Sequence, residues 1–149
     1  MLTAKGKYSL KALSHLAGLK TGETAQAVQI AKAHNIPKKF LDAILRDLRM
    51  AGIVYSRRGP GGGYMLARAA SEIKVGRVIR VIDGPLAPIA CASRTAYQPC
   101  RDCQNVKRCN VRLMMTNVRD AISEVLDQVT IAEMVAMSHR VKPGPPARS

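Results

Sequence analysis

The sequence predicts a mainly α-helical fold that carries one small β-hairpin. Three observations lead there. Of the 149 residues 47% are apolar, yet there is one Phe and no Trp, so Ala, Val, Ile, Leu and Met must fill the core, which suits helices. Apolar residues recur at helical spacing through most of the chain. Two short β-type runs flank a Gly-rich turn in the first half.

From Tyr8 to Leu19, Leu10, Leu13, Leu16 and Ala17 share one helical face, with Lys7 and Lys11 off it. Gly22 and Thr24 interrupt it, and a short helix containing Val28, Ile30 and Ala31 ends near Asn35. Pro37 suits the first turn of the next helix, since the N–H it lacks has no partner there anyway. That helix runs to Met50 and points Phe40, Leu41, Ile44, Leu45 and Leu48 inward, leaving Lys38, Lys39, Asp42, Arg46 and Arg49 outside; Gly52 stops it. Ile53–Ser56 and Tyr64–Ala67 read as strands joined by Arg57–Gly63. Helix, short helix, turn, helix and basic hairpin, in that order, make a winged helix-turn-helix. Val75–Ile82 reads as a further helix closed by Asp83-Gly84-Pro85.

Residues 86–110 show no periodicity, and a stretch that long without structure inside a compact domain points to function. The helical signal returns at Val111: Val111, Met115, Val118, Ile122, Val125 and Val129 are spaced 4, 3, 4, 3 and 4, an a/d stripe. Such a stripe packs on the chain's own domain or on a second copy, and dimerisation is the expectation adopted. Thr130 to Ser138 reads as a short last helix, and Val141–Ser149 as a frayed tail with three prolines. The expected organisation is a DNA-binding domain over 1–85, a cysteine-rich cluster-binding loop over 86–110, a long C-terminal dimerisation helix with a short terminal helix over 111–138, and a disordered tail over 139–149.

Net charge is +14. Residues 1–87 hold fifteen Lys/Arg against five Asp/Glu, and residues 88–149 nine against five, so the excess lies in the N-terminal part. A polyanion is the usual partner of such a field. No stretch approaches the ~20 apolar residues of a membrane span. Lys5 and Lys7 follow Met1 closely and an amphipathic pattern starts at once, unlike a secretory leader. A reducing, cytoplasmic setting is therefore expected. No catalytic constellation emerges: His15, His34 and His139 read as isolated imidazoles, and no enzyme activity or small-molecule substrate is expected.

The second helix of a helix-turn-helix enters the major groove with its N-terminal residues first, which makes Lys38, Lys39 and Asp42 candidates for base contact. Arg46 and Arg49 serve equally as phosphate contacts or as a solvated face. Glycines at 59 and 61–63 permit positive φ and close approach, so Arg57, Arg58 and Gly61 form a tip able to reach the narrow minor groove.

Cys91, Cys100, Cys103 and Cys109, spaced C-x8-C-x2-C-x5-C, are the only cysteines of the chain. Thiolates are soft ligands suited to iron–sulfur clusters or zinc, and Arg94, Arg101, Lys107 and Arg108 would offset the negative charge. A redox-active cluster, 2Fe–2S or 4Fe–4S, is the favoured reading. Zinc usually shows two C-x2-4-C pairs, and only Cys100/Cys103 makes one. A metal-free switch through a Cys100–Cys103 disulfide is the third reading. A thiol–disulfide enzyme fits poorly, because no strand leads into that C-x2-C and no helix start plainly follows it.

Leu2-Thr3-Ala4-Lys5-Gly6-Lys7-Tyr8, Arg58-Gly59-Pro60-Gly61-Gly62-Gly63-Tyr64, Ile82-Asp83-Gly84-Pro85-Leu86 and the trailing cysteines together resemble the Rrf-type winged-helix transcription regulators, which include the IscR-, NsrR- and RirA-like proteins. The resemblance spans about residues 1–137. It implies a homodimer with crossing long helices on a palindromic duplex operator, Arg58 as wing arginine, Lys5 and Lys7 on phosphates, and Lys38–Ala43 as the base-reading start. It also implies Cys91, Cys103 and Cys109 as cluster ligands. Arg112 stands where IscR has a histidine ligand, and Cys100 is an added thiol that would make the site all-cysteine. Some members lack a cluster and repress cysteine metabolism, but their cysteine loops are usually depleted. Ala43 replaces a longer polar residue and points to a different operator.

Overall fold

A computed structural model describes residues 2–142 and 144. Helix α1 spans Ala4–Ala17, four residues ahead of the expected Tyr8, because Thr3 caps it: the Gly6 N–H donates to the Thr3 hydroxyl at 3.1 Å. The Thr3 N–H donates in turn to the Asp83 carboxylate at 3.0 Å. Helix α2 (Ala27–His34) starts with a Gln26/Gln29 capping box and stops at Asn35, whose φ of 52° is left-handed.

Helix α3 (Lys38–Met50) buries Leu41, Ile44, Leu45 and Leu48. Two expectations fail at its start. Pro37 is the N-cap residue rather than part of the first turn. Phe40 is 54% exposed, because it stands in the helix's first turn at the edge of the buried stripe, a quarter-turn from its centre. Strands β1 (Val54–Arg57) and β2 (Gly63–Leu66) pair antiparallel, from Val54 opposite Leu66 to Arg57 opposite Gly63. Ala25 and Tyr64 exchange backbone hydrogen bonds of 2.9 and 2.7 Å, which fasten the hairpin to the segment leading into α2. Gly63 is obligatory there: its φ is 154°, and a Cβ would sit 2.7 Å from the Ala25 carbonyl oxygen.

Helix α4 (Val75–Asp83) buries Val75, Val78 and Ile79. Helix α5 (Asn110–Gln128) buries no residue fully, whereas α6 (Ile131–Arg140), started by a Thr130/Glu133 capping box, buries Ile131 completely. Backbone bonds from Val75 N–H to Val129 O and from Ile131 N–H to Ile73 O, both 2.9 Å, tie the end of α5 and the start of α6 to α4. Arg80 forks onto Asp127 there, with its Nη2 donating at 2.8 Å. One core therefore joins Leu13, Leu41, Leu45, Val78 and Ile131, so the start of α6 packs into the same core as α1, α3 and α4. His139 and Arg140 extend α6 past the expected tail start; positions 143 and 145–149 of that tail lie outside the described residues. Among the described residues no helix is long and apolar enough to cross a membrane.

Candidate functional site

The basic residues proposed for nucleic acid fall on one unit made of α1, α3 and the hairpin, but they are not equally available. Lys7, Lys39, Arg46 and Arg58 are exposed. Lys5 is half-buried and donates to Asp47 on α3 at 3.1 Å. Lys38 donates to Asp42 one turn on at 2.9 Å, so two residues expected to read bases hold each other in the isolated chain. Arg57 lies along the hairpin and reaches the Gly22 carbonyl at 3.4 Å, leaving Arg58 nearer solvent at the tip. Gly61 adopts φ 73°, and its carbonyl accepts from the Thr24 hydroxyl at 2.9 Å, which anchors the tip to the loop before α2.

His15 and His34 are not isolated. Their Nδ1 and Nε2 atoms lie 3.0 Å apart in an edge-on arrangement joining α1 to the end of α2. Burial, then the His15 and Lys11 charges, lower the pKa of His34. Sequence reasoning had no signal for this pair, which depends on how two helices cross.

The cysteine segment is less irregular than its sequence. Short 3-10 turns at Ala90–Ala92 and Val106–Arg108 punctuate it. All four cysteines are thiols and line one cavity of about 250 Å³ together with Ile89, Asp102, Val106 and Arg112. Cys91 is buried, Cys103 and Cys109 are half-buried, and Cys100 is exposed. The Cys100 thiol faces Asp102, and donation to that carboxylate raises its pKa. Cys103 is also pushed up, first by loss of solvent and then by its hydrogen bond to Cys109. Cys109 goes the other way. It is the N-cap residue of α5, and the first-turn amides, that of Arg112 foremost, lower its pKa. Cys103 and Cys109 thus influence each other's protonation, and Cys100 adds to the upward push on Cys103. Among the described residues no three Cys, His, Asp or Glu side chains converge tightly enough to hold a single metal ion.

Two arginines of α5 suspend the turn that carries Cys91. Arg112 Nε donates to the Cys91 carbonyl at 2.9 Å, and Arg119 Nη1 donates to the Ala92 carbonyl at 2.5 Å. Arg119 also pairs with Asp120 at 2.7 Å, and Arg94 reaches Asp120 at 2.9 Å. Arg112, which cannot ligate a metal, is therefore a bracket for the loop. On the other side of the molecule α1, α4, α5 and α6 enclose an open, almost wholly apolar cleft of about 680 Å³, lined by Ile122, Val125 and Val129 of the expected stripe and by Met134 and Met137.

The model of the iron-dependent transcriptional regulator family, Rrf2, matches residues 2–137. The chain belongs to the Rrf2 family. An rrf2-like HTH-type transcriptional regulator of Rhodobacter capsulatus is 42% identical over 139 residues, covering 91% of this chain and 93% of that protein. The HTH-type transcriptional regulator IscR of Erwinia tasmaniensis is 32% identical over 134 residues, covering 90% of this chain and 78% of that one. Among solved structures, CymR, the global cysteine regulator of B. subtilis, superposes with a TM-score of 0.73 at 31% identity, covering 92% of this chain and 97% of that one. IscR of T. potens gives 0.71 at 28% identity, covering 97% and 93%. The Rrf2 membership makes this chain a DNA-binding transcription regulator with a winged helix-turn-helix fold, not an enzyme.

Proposed function

We propose that this Rrf2-family regulator binds a palindromic operator as a homodimer, and that an iron–sulfur cluster held by Cys91, Cys100, Cys103 and Cys109 sets its affinity. The observation that carries the reading is the single cavity onto which all four thiols open. Four thiolates opening on one cavity are the soft donor set that would hold an iron–sulfur core. Cys109 at the start of α5 is the thiol best prepared to be a thiolate, because the Arg112 and Val111 backbone amides of the first turn favour the charged form. When bound, the cluster would supply reversible one-electron chemistry and sensitivity to iron supply, oxidants or nitric oxide. The chain's part is mechanical: Arg112 and Arg119 couple the Cys91 turn to α5, and α5 presents the apolar cleft to a second copy. A rearrangement over 86–110 would thereby shift α5 and the spacing of two recognition helices. The setting is the bacterial cytoplasm, at the nucleoid, without a membrane or a small-molecule substrate.

Anaerobic purification tests this. Iron and acid-labile sulfide in stoichiometric amounts, visible absorbance lost in each Cys→Ala variant, and operator affinity that follows redox state are expected. Colourless protein with zinc, or a normal spectrum in Cys100→Ala, overturns the cluster or its fourth ligand respectively. A metal-free switch is the second reading, supported by the opening of all four free thiols onto one cavity. Mass spectrometry of oxidised protein would then find two of them joined.

A further inference from the structure

Phe40 is the third residue of the recognition helix and stands 54% exposed, although its neighbours at Leu41, Ile44 and Leu45 are fully buried. A lone exposed apolar residue is ordinary on a protein surface. This one occupies the turn that enters the major groove first. Ala43, one turn further on, is half-buried beside it and short enough to admit close approach. The polar candidates in the same turn are partly spoken for, since Lys38 is paired with Asp42. What α3 offers the groove without first breaking an ion pair is an apolar strip, Phe40 with Ala43, bordered by Lys39.

The major-groove wall has one apolar group of its own, the 5-methyl of thymine. We propose that Phe40, backed by Ala43, is a specificity-determining residue that reads a thymine methyl in each half of the operator. Base selection here rests on hydrocarbon contact, while Lys39, Arg46 and Arg58 supply phosphate attraction that is indifferent to sequence. The inference rests on the DNA-reading role of α3 and does not depend on the cluster.

The test starts by enriching an operator from random duplex DNA with the full-length protein, then replacing each thymine singly with uracil, which removes only the methyl from the groove. At one or two thymines per half-site, wild-type affinity should fall about fourfold, the equivalent of one hydrocarbon carbon returned to water. Phe40→Ala should bind the parent operator more weakly and show no further loss with uracil at those positions. Phe40→Leu should keep part of the sensitivity. Circular dichroism of each variant should match wild type, since Phe40 is half in solvent. An enriched operator in which every thymine tolerates uracil, or one whose uracil sensitivity survives Phe40→Ala, overturns this inference alone. If no sequence is enriched, base reading by α3 fails and the inference falls with it.

Discussion

Val125→Asp should convert the protein from dimer to monomer without unfolding it. Val125 lines the apolar cleft beside α5 and is 60% exposed in the single chain. Withdrawing a valine side chain fully from water is worth about 1.5 kcal/mol. With most of its surface still wet, about 1 kcal/mol remains to be gained per protomer, or about 2 kcal/mol for a symmetric pair. Each aspartate placed against an apolar wall without a donor loses at least about 2 kcal/mol on desolvation. Association should therefore weaken by about 6 kcal/mol, which is about four decades in the dissociation constant. Sedimentation equilibrium from nanomolar to tens of micromolar protein, with circular dichroism on the same samples, reads both mass and fold. A Val125→Asp protein with wild-type mass across that range, or a wild type that is monomeric at tens of micromolar, refutes the assignment of the cleft as the seam.

Three further outcomes follow from the geometry. Arg58→Ala should lower operator affinity about tenfold or more and reduce the slope of log affinity against log salt by about two, one contact from each protomer of the proposed dimer, with an unchanged melting temperature; an unchanged slope removes the wing arginine from the interface. His34 is held neutral below its ordinary pKa by burial, His15 and Lys11, so the unfolded chain takes up its proton first. Stability is then full above about pH 6.5 and declines as pH falls from there toward the lower folded value, and melting temperatures of His34→Gln should lack that decline. Ile131→Ala should cost about 2–5 kcal/mol in urea unfolding, because the side chain is wholly enclosed in the shared core; a cost below 1 kcal/mol, on the order of a surface change, would mean α6 is peripheral.

The helix-turn-helix and its wing were legible because their signals are local. Leu41, Ile44, Leu45 and Leu48 carry a 3.6-residue period, and the glycines at 59 and 61–63 announce a tight hairpin tip. Phe40 was misread because it flanks that stripe in the helix's first turn, where helical spacing alone does not decide burial. The His15–His34 contact joins residues nineteen apart on different helices, and the Lys5–Asp47 pair spans forty-two, so neither has a trace in spacing. At the thiol cavity the residue types were legible and the arrangement was not. Bonds from Arg112 and Arg119 to main-chain carbonyls hold the loop, and any sequence offers such carbonyls.

The paired bonds between Ala25 and Tyr64, with the Thr24 hydroxyl on the Gly61 carbonyl, leave the wing no hinge of its own. Wing tip and recognition helix travel as two prongs of one stiff fork. If both grip the duplex as proposed, their gap would set the stride along it, and a target with the wrong groove separation would have to bend, at a cost that helps tell sites apart.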